Sequence, residues 1–233
     1  MFTNTSVIQA PALYGNATYD PFRDLTPITQ LGTVAIAFAI RTESPIRDIG
    51  DYLRTVKAEP GKHAYSSYGV GSSAHLLMEG LKDRYGLDLT HVAYKGEGPA
   101  MQDVLANQIE GGFFSERLAA AQQKAGSVRA LAVTGALRST ILPETPTFAE
   151  AGIAGMETVG WYGVLASGRT SPVIAKRLSR DINQAMQRPE IQARMQELVI
   201  RPTGTTPEEF GRLMKAEDKI WKGLITKFGI KAE

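Results

Sequence analysis

Ser66-Ser67-Tyr68-Gly69-Val70-Gly71-Ser72-Ser73-Ala74-His75 is the stretch of this 233-residue chain whose residue types and spacing point most directly to chemistry. A short strand, His63 to Ser67, runs into two glycines that let the backbone approach a ligand, and hydroxyls stand where a helix begins. Helix-start amides together with the Ser72 and Ser73 hydroxyls suit a carboxylate or phosphate. The stretch is not a Walker A loop, because Gly-Lys-Ser/Thr is missing, and no third glycine completes G-x-G-x-x-G. An ordinary glycine-rich turn with a serine N-cap explains the same residues equally well, and spacing alone leaves both readings open. Tyr94-Lys95-Gly96-Glu97-Gly98-Pro99 repeats the pattern of strand, glycine turn and helix start. Ligands in open α/β sheets bind beyond such strand ends. Lys95 is there either an anion partner or a solvated turn residue.

Other chemistries find less support. Ser67, Ser72 or Ser73 could be drawn with His75 or His91 as a hydrolytic triad, yet no G-x-S-x-G elbow exists. His75 reads better as a helix residue packing under the loop or hydrogen-bonding behind it. No pair of carboxylates is singled out for glycoside chemistry. Cysteine is absent, which excludes disulfides, thiol nucleophiles and thiolate metal sites. The three histidines are too scattered for a metal cluster. Lys plus Arg number 26 against 24 for Asp plus Glu, and no basic cluster marks a nucleic-acid footprint. Trp161-Tyr162 either line a pocket or fill the core, the default for strand aromatics.

The elements that must position these residues alternate. Leu31 to Ile40 is the longest apolar run, half of a membrane span, and reads as one buried strand. Ser44-Pro45 opens a helix with Ile46, Ile49, Leu53 and Val56 at helical spacing. Further strands are expected at His91–Tyr94, Ile109–Phe114, Val128–Thr134 and Val159–Ala166, with helices from Pro99 and over Glu116–Ala125. Such alternation predicts βαβ units and a mostly parallel sheet. From Ser171 the pattern is helical, and Thr206 with Glu209 forms a capping box around Pro207. The N-terminal residues have no charge before Asp20 and show neither the basic nor the apolar segment of a secretory signal. Phe2 to Asn4 reads as the tail of a strand with nothing before it.

Several of these segments, in order, resemble the receptors of tripartite tricarboxylate transporters, the Bug-type periplasmic binding proteins. The resemblance is carried by Tyr19-Asp20-Pro21-Phe22-Arg23-Asp24-Leu25-Thr26-Pro27, by Tyr65 to His75, by His91 to Gly96 and by Val128 to Thr134. Leu142-Pro143-Glu144-Thr145-Pro146-Thr147-Phe148-Ala149-Glu150-Ala151-Gly152 is its most diagnostic piece, and Gly160-Trp161-Tyr162-Gly163 continues it. The resemblance implies an α/β, two-lobe periplasmic binding protein (type II-like) whose first lobe lacks its opening strand–helix units. The lobes would be residues 1–34 plus 159–233, and 35–158. It further implies an extracytoplasmic solute receptor, not an enzyme, that binds a small organic carboxylate and delivers it to membrane permease subunits. No cofactor, metal or nucleic acid is implied. A Ser/His hydrolase and a non-transport sensory module are the alternatives. The ligand grip would map to Ser67, Gly69, Gly71, Ser72 and Ser73, with Tyr94 to Gly98 nearby, Tyr94, Lys95 and Gly96 foremost. Thr3, Thr5 and Ser6 would contribute from the first lobe, with Trp161 near the crossing. Family members often carry Asp-Asn where Phe114 and Ser115 stand; a phenylalanine cannot hold an ammonium, so a plain or aromatic carboxylate is expected. A lobe without its opening strand would expose a sheet edge, predicting oligomerisation or poor solubility.

Overall fold

The structure, a computed structural model, describes residues 1–15 and 17–231. In chain order the elements are β1 (Phe2–Asn4), α1 (Ser6–Tyr14), β2 (Leu25–Val34), β3 (Ile36–Arg41), α2 (Ile49–Ala58), β4 (His63–Ser67), α3 (Ser73–Tyr85), β5 (Leu89–Ala93), α4 (Glu97–Leu105), β6 (Gly111–Ser115), α5 (Glu116–Lys124), β7 (Val128–Val133), β8 (Gly160–Ser167), α6 (Pro172–Met186), α7 (Pro189–Glu197), β9 (Arg201–Pro202) and α8 (Pro207–Phe228). They form two compact units, Ala35–Val159 and the remainder, Met1–Val34 with the chain from Gly160 onward. Among the described residues no helix is long and apolar enough to cross a membrane.

In the unit Ala35–Val159, five strands lie in the order β5-β4-β6-β3-β7. β4 runs parallel to both β5 and β6, whereas β3 is antiparallel to β6 and β7. Four strands therefore point one way and one is reversed. Side chains alternate between the two faces. Phe113 packs on one face with Phe38 (ring centroids 5.2 Å apart), which in turn meets Tyr52 at 4.7 Å. Phe114 goes to the other face, in a buried cluster with Ala37, Met101, Val104, Val128 and Val133. The helix expected from Ser44 starts at Ile49 instead, because Asp48 is the residue whose side chain accepts the Asp51 N–H, at 2.7 Å. Likewise α4 begins two residues before Pro99, which occupies the first turn where no N–H is needed.

The other unit carries the sheet β1-β8-β2-β9, antiparallel throughout. The mostly parallel expectation fails here for a topological reason. β2 and β8 are neighbours separated by the whole inserted unit rather than by one crossover helix, so the chain returns along the opposite direction. The apolar run Leu31 to Ile40 is also not one strand: it divides at Ala35, giving its first part to β2 and its second to β3. Both halves are uncharged and largely apolar, so hydropathy alone carries no mark of the break. Trp161 on β8 packs edge-on against Phe210 of α8, with centroids 4.9 Å apart. The capping box opens α8 as its sequence predicts: Thr206 Oγ1 accepts the Glu209 N–H at 3.2 Å, and Glu209 Oε2 accepts the Thr206 N–H at 2.8 Å.

Candidate functional site

Three loops leave the sheet of the unit Ala35–Val159 at the carboxyl ends of β4, β5 and β6. The Ser67 carbonyl accepts the Tyr94 N–H at 2.9 Å, so the two glycine-containing loops run side by side. Gly69 (φ +146°) and Gly71 (φ +72°) hold conformations that an L side chain adopts only under strain. They reverse the chain tightly enough for the Gly69 carbonyl to accept the Ser72 N–H at 3.2 Å. Ser72 then caps α3, accepting the His75 N–H at 3.4 Å, and Ser73 opens the helix. α3 is 13 residues long and directs its positive end at this loop.

Beneath the loop lies an aromatic stack that holds it in shape. His75 Nδ1 accepts the Gly71 N–H at 3.0 Å. The His75 ring stacks on His91 at 3.7 Å, and His91 on Tyr65 at 5.0 Å. Ser67 Oγ sits 2.7 Å from His91 Nε2 and 3.0 Å from the Gly69 carbonyl oxygen. The Gly71 amide and the Ser67 hydroxyl, both expected as ligand contacts, are thus taken up inside the loop.

The same geometry answers the hydrolase alternative. Ser67 and His91 touch as a catalytic pair would, but Ser67 is fully buried and among the described residues no carboxylate orients His91. Burial, assisted by the neighbouring His75, pulls His91 down to about 4, too low for a base working near neutrality. Burial likewise lowers His75, against the opposing pull of Glu79.

A pH dependence follows. Both histidines titrate below their unfolded value of 6.5, so their contribution to stability is complete above about pH 6.5 and falls as the pH drops toward 4. Replacing His91 with glutamine should make melting temperature less sensitive to acid across that window. An unchanged slope in melts taken from pH 7 to 4 would refute the role of this stack.

The remaining residues are placed as follows. The Tyr94 hydroxyl donates to Asp103 at 2.7 Å, tying the ring to α4. Lys95 is exposed and has no ion pair among the described residues. Gly96 (φ +114°) turns the chain into α4. Ser115 Oγ accepts the Leu118 N–H at 3.3 Å and donates to Glu97 Oε1 at 3.0 Å, while Glu97 Oε2 accepts the Ser115 N–H at 2.8 Å. In the other unit, Thr5 Oγ1 accepts the Trp161 N–H at 3.0 Å and the Ser6 hydroxyl donates to Asn4 at 2.6 Å.

Two expected ligand contacts lie in the core. Phe114 has no exposed surface and belongs to the core face of β6, whereas Ser115, the last residue of that strand, caps α5. Trp161 is equally buried, with its indole N–H donating to Glu217 at 2.8 Å. Glu97 lay within the second expected loop but was given no role of its own there. Its signal was an acidic residue at the first position of a helix, a common stabilising placement that does not by itself indicate a site.

A hollow of about 390 Å³ opens at the opposite end of the sheet, between Arg41, Lys62, His63 and Glu110. Its lining mixes both signs of charge, and it lies away from the three loops, at the starts of β4 and β6.

A model of the family described as "Tripartite tricarboxylate transporter family receptor" (TctC) matches residues 1–230. A protein from the tcbD–tcbE intergenic region of Pseudomonas sp. (strain P51) is 32% identical over 235 residues, covering 100% of this chain and 69% of that protein. The chain spans about two thirds of the length of such relatives. Among solved structures, one titled as a periplasmic transporter superposes with a TM-score of 0.84 at 31% identity, covering 99% of this chain and 77% of that one. A second, from R. palustris with adipate, gives 0.84 at 27% identity with the same coverage.

Proposed function

Because this chain belongs to the tripartite tricarboxylate transporter receptor family, a family of solute receptors rather than enzymes, we propose that it binds a small organic carboxylate in the periplasm and delivers it to the membrane subunits of such a transporter. The observation that carries the binding step is the Gly69–Ser73 turn at the start of α3. A carboxylate placed there faces the positive end of the helix dipole and the Ser73 hydroxyl at its first turn. Lys95, exposed on the adjoining loop, adds a positive charge to the same strand ends. The adipate bound by the R. palustris relative supports a dicarboxylate-sized ligand. Delivery to membrane subunits rests on the family alone.

Thermal unfolding with adipate and a set of mono- and dicarboxylates tests the reading. A ligand at a hundredfold its dissociation constant should add about 2.7 kcal/mol of stability. Gly69→Val, which forces a β-branched residue to φ +146°, should abolish the shift while the ligand-free protein still melts cooperatively. If no carboxylate moves the melting temperature of the unmodified chain, the proposal fails.

A further inference from the structure

We propose that Glu97 selects the ligand, favouring a carboxylic acid that carries a hydrogen-bond donor, hydroxyl or ammonium, on its carbon chain over the bare acid. The inference rests on the carboxylate reading above and names the residue that narrows it.

Topology makes the first argument. β4 lies between β5 and β6. Glu97 follows β5, yet its carboxylate is held on Ser115 at the end of β6. The connection from β5 to β6, with Glu97 at the start of its helix, therefore passes β4, from which the Gly69–Ser73 loop departs. The spacing agrees: a Cβ built on Gly69 would lie 3.9 Å from the Tyr94 carbonyl oxygen, three residues before Glu97.

The second argument is chemical. Each Glu97 oxygen accepts one hydrogen bond from Ser115, which leaves each with a further acceptor direction. The residue is only half-buried and has no ion pair among the described residues. An unneutralised carboxylate at the mouth of an anion-binding loop repels a second bare anion. It attracts a hydroxyl or an ammonium, and charge-assisted hydrogen bonds are about twice as strong as neutral ones. The expectation of a plain carboxylate leaned on Phe114 standing where an acid would hold an ammonium. With Phe114 in the core, Glu97 brings an acid to that strand end from the neighbouring loop.

Dissociation constants measured by calorimetry for glutarate, 2-hydroxyglutarate and glutamate, which differ at one substituent, test the proposal. The unmodified chain should bind the two substituted acids about tenfold or more tighter than glutarate. Glu97→Ala should bring all three to within about twofold of one another. Glu97→Gln retains an acceptor oxygen, so the hydroxyl preference should persist while the ammonium preference is lost. If Glu97 merely braces Ser115, the glutamine variant will match the unmodified chain for every acid and the alanine variant will weaken all three alike. That pattern overturns the proposal, as does glutarate binding as tightly as the others. If none of these acids nor adipate binds, the carboxylate reading itself has failed; if adipate or glutarate binds without discrimination, only the role of Glu97 has.

Discussion

Glu217→Gln should raise the melting temperature by several degrees at pH 8 and by much less at pH 5. Glu217 on α8 is largely buried, with its carboxylate accepting the Trp161 indole N–H at 2.8 Å. Trp221, one turn on, keeps its own buried indole N–H out of hydrogen-bond geometry. Burial pushes the Glu217 carboxyl up to about 7, against the indole groups that favour its charged form. Its folded value lies above the unfolded 4.5, so the stability it contributes is complete below about pH 4.5 and is lost as the pH rises through 7. The difference corresponds to about 3 kcal/mol at pH 8. Glutamine keeps the acceptor for Trp161 and removes the charge, so the benefit should appear only where glutamate is ionised. The acid sensitivity of His75 and His91 has the opposite sign over an overlapping range. The unmodified chain should accordingly show a flattened profile that the two variants pull apart. Melting curves of both proteins at pH 5 and 8 decide the matter; an equal difference at the two values would show that charge burial is not the cause.

Gly112→Ala should cost about 3 kcal/mol or more and remove carboxylate binding with it. A Cβ at Gly112 would stand 2.0 Å from Ser66 Oγ and 2.7 Å from the Ser66 carbonyl oxygen. The second contact cannot be relieved by turning a side chain, because Ser66 and Gly112 are paired backbone partners in the β4–β6 ladder. Opening that ladder displaces Ser67, the next residue, and the loop it launches. For a chain of this length such a loss corresponds to a fall in melting temperature of roughly 6–12 °C. Gly98→Ala serves as the control. Gly98 lies in α4 with nothing within 4 Å of a new Cβ, so alanine there should be neutral or stabilising. Adding Ser66→Gly to Gly112→Ala should restore only part of the loss, since the carbonyl contact remains. Full recovery would place the whole effect on the Ser66 hydroxyl.

These effects reach into parts of the molecule that the sequence shows unevenly. Where consecutive residues contain the whole physical cause, the pattern is readable. Thr206 and Glu209 cap α8 three residues apart, Pro207 sits between them, and Ser72 closes the turn after two glycines. The alternation of strands and helices was readable for the same reason, as were the two glycine loops at strand ends and the family resemblance they carry. Causes that span dozens of residues left no local mark. Phe113 and Phe114 are both fully apolar, and only the pairing of β6 with β3 and β4 decides which face of the sheet each one fills. Ala35 looks like any other residue of its apolar run, yet it separates strands of two sheets. Glu97 meets Ser115, and Glu217 meets Trp161, across 18 and 56 residues respectively. The sequence by itself therefore determined the cap that opens α8, the alternation of strands and helices and where the backbone must turn, because caps, glycines and short periodicities act over a few bonds. The tertiary structure alone decided which amides and hydroxyls are already occupied, which aromatics are core and where carboxylates are buried or left unneutralised, because those depend on what long-range packing brings within a few ångströms.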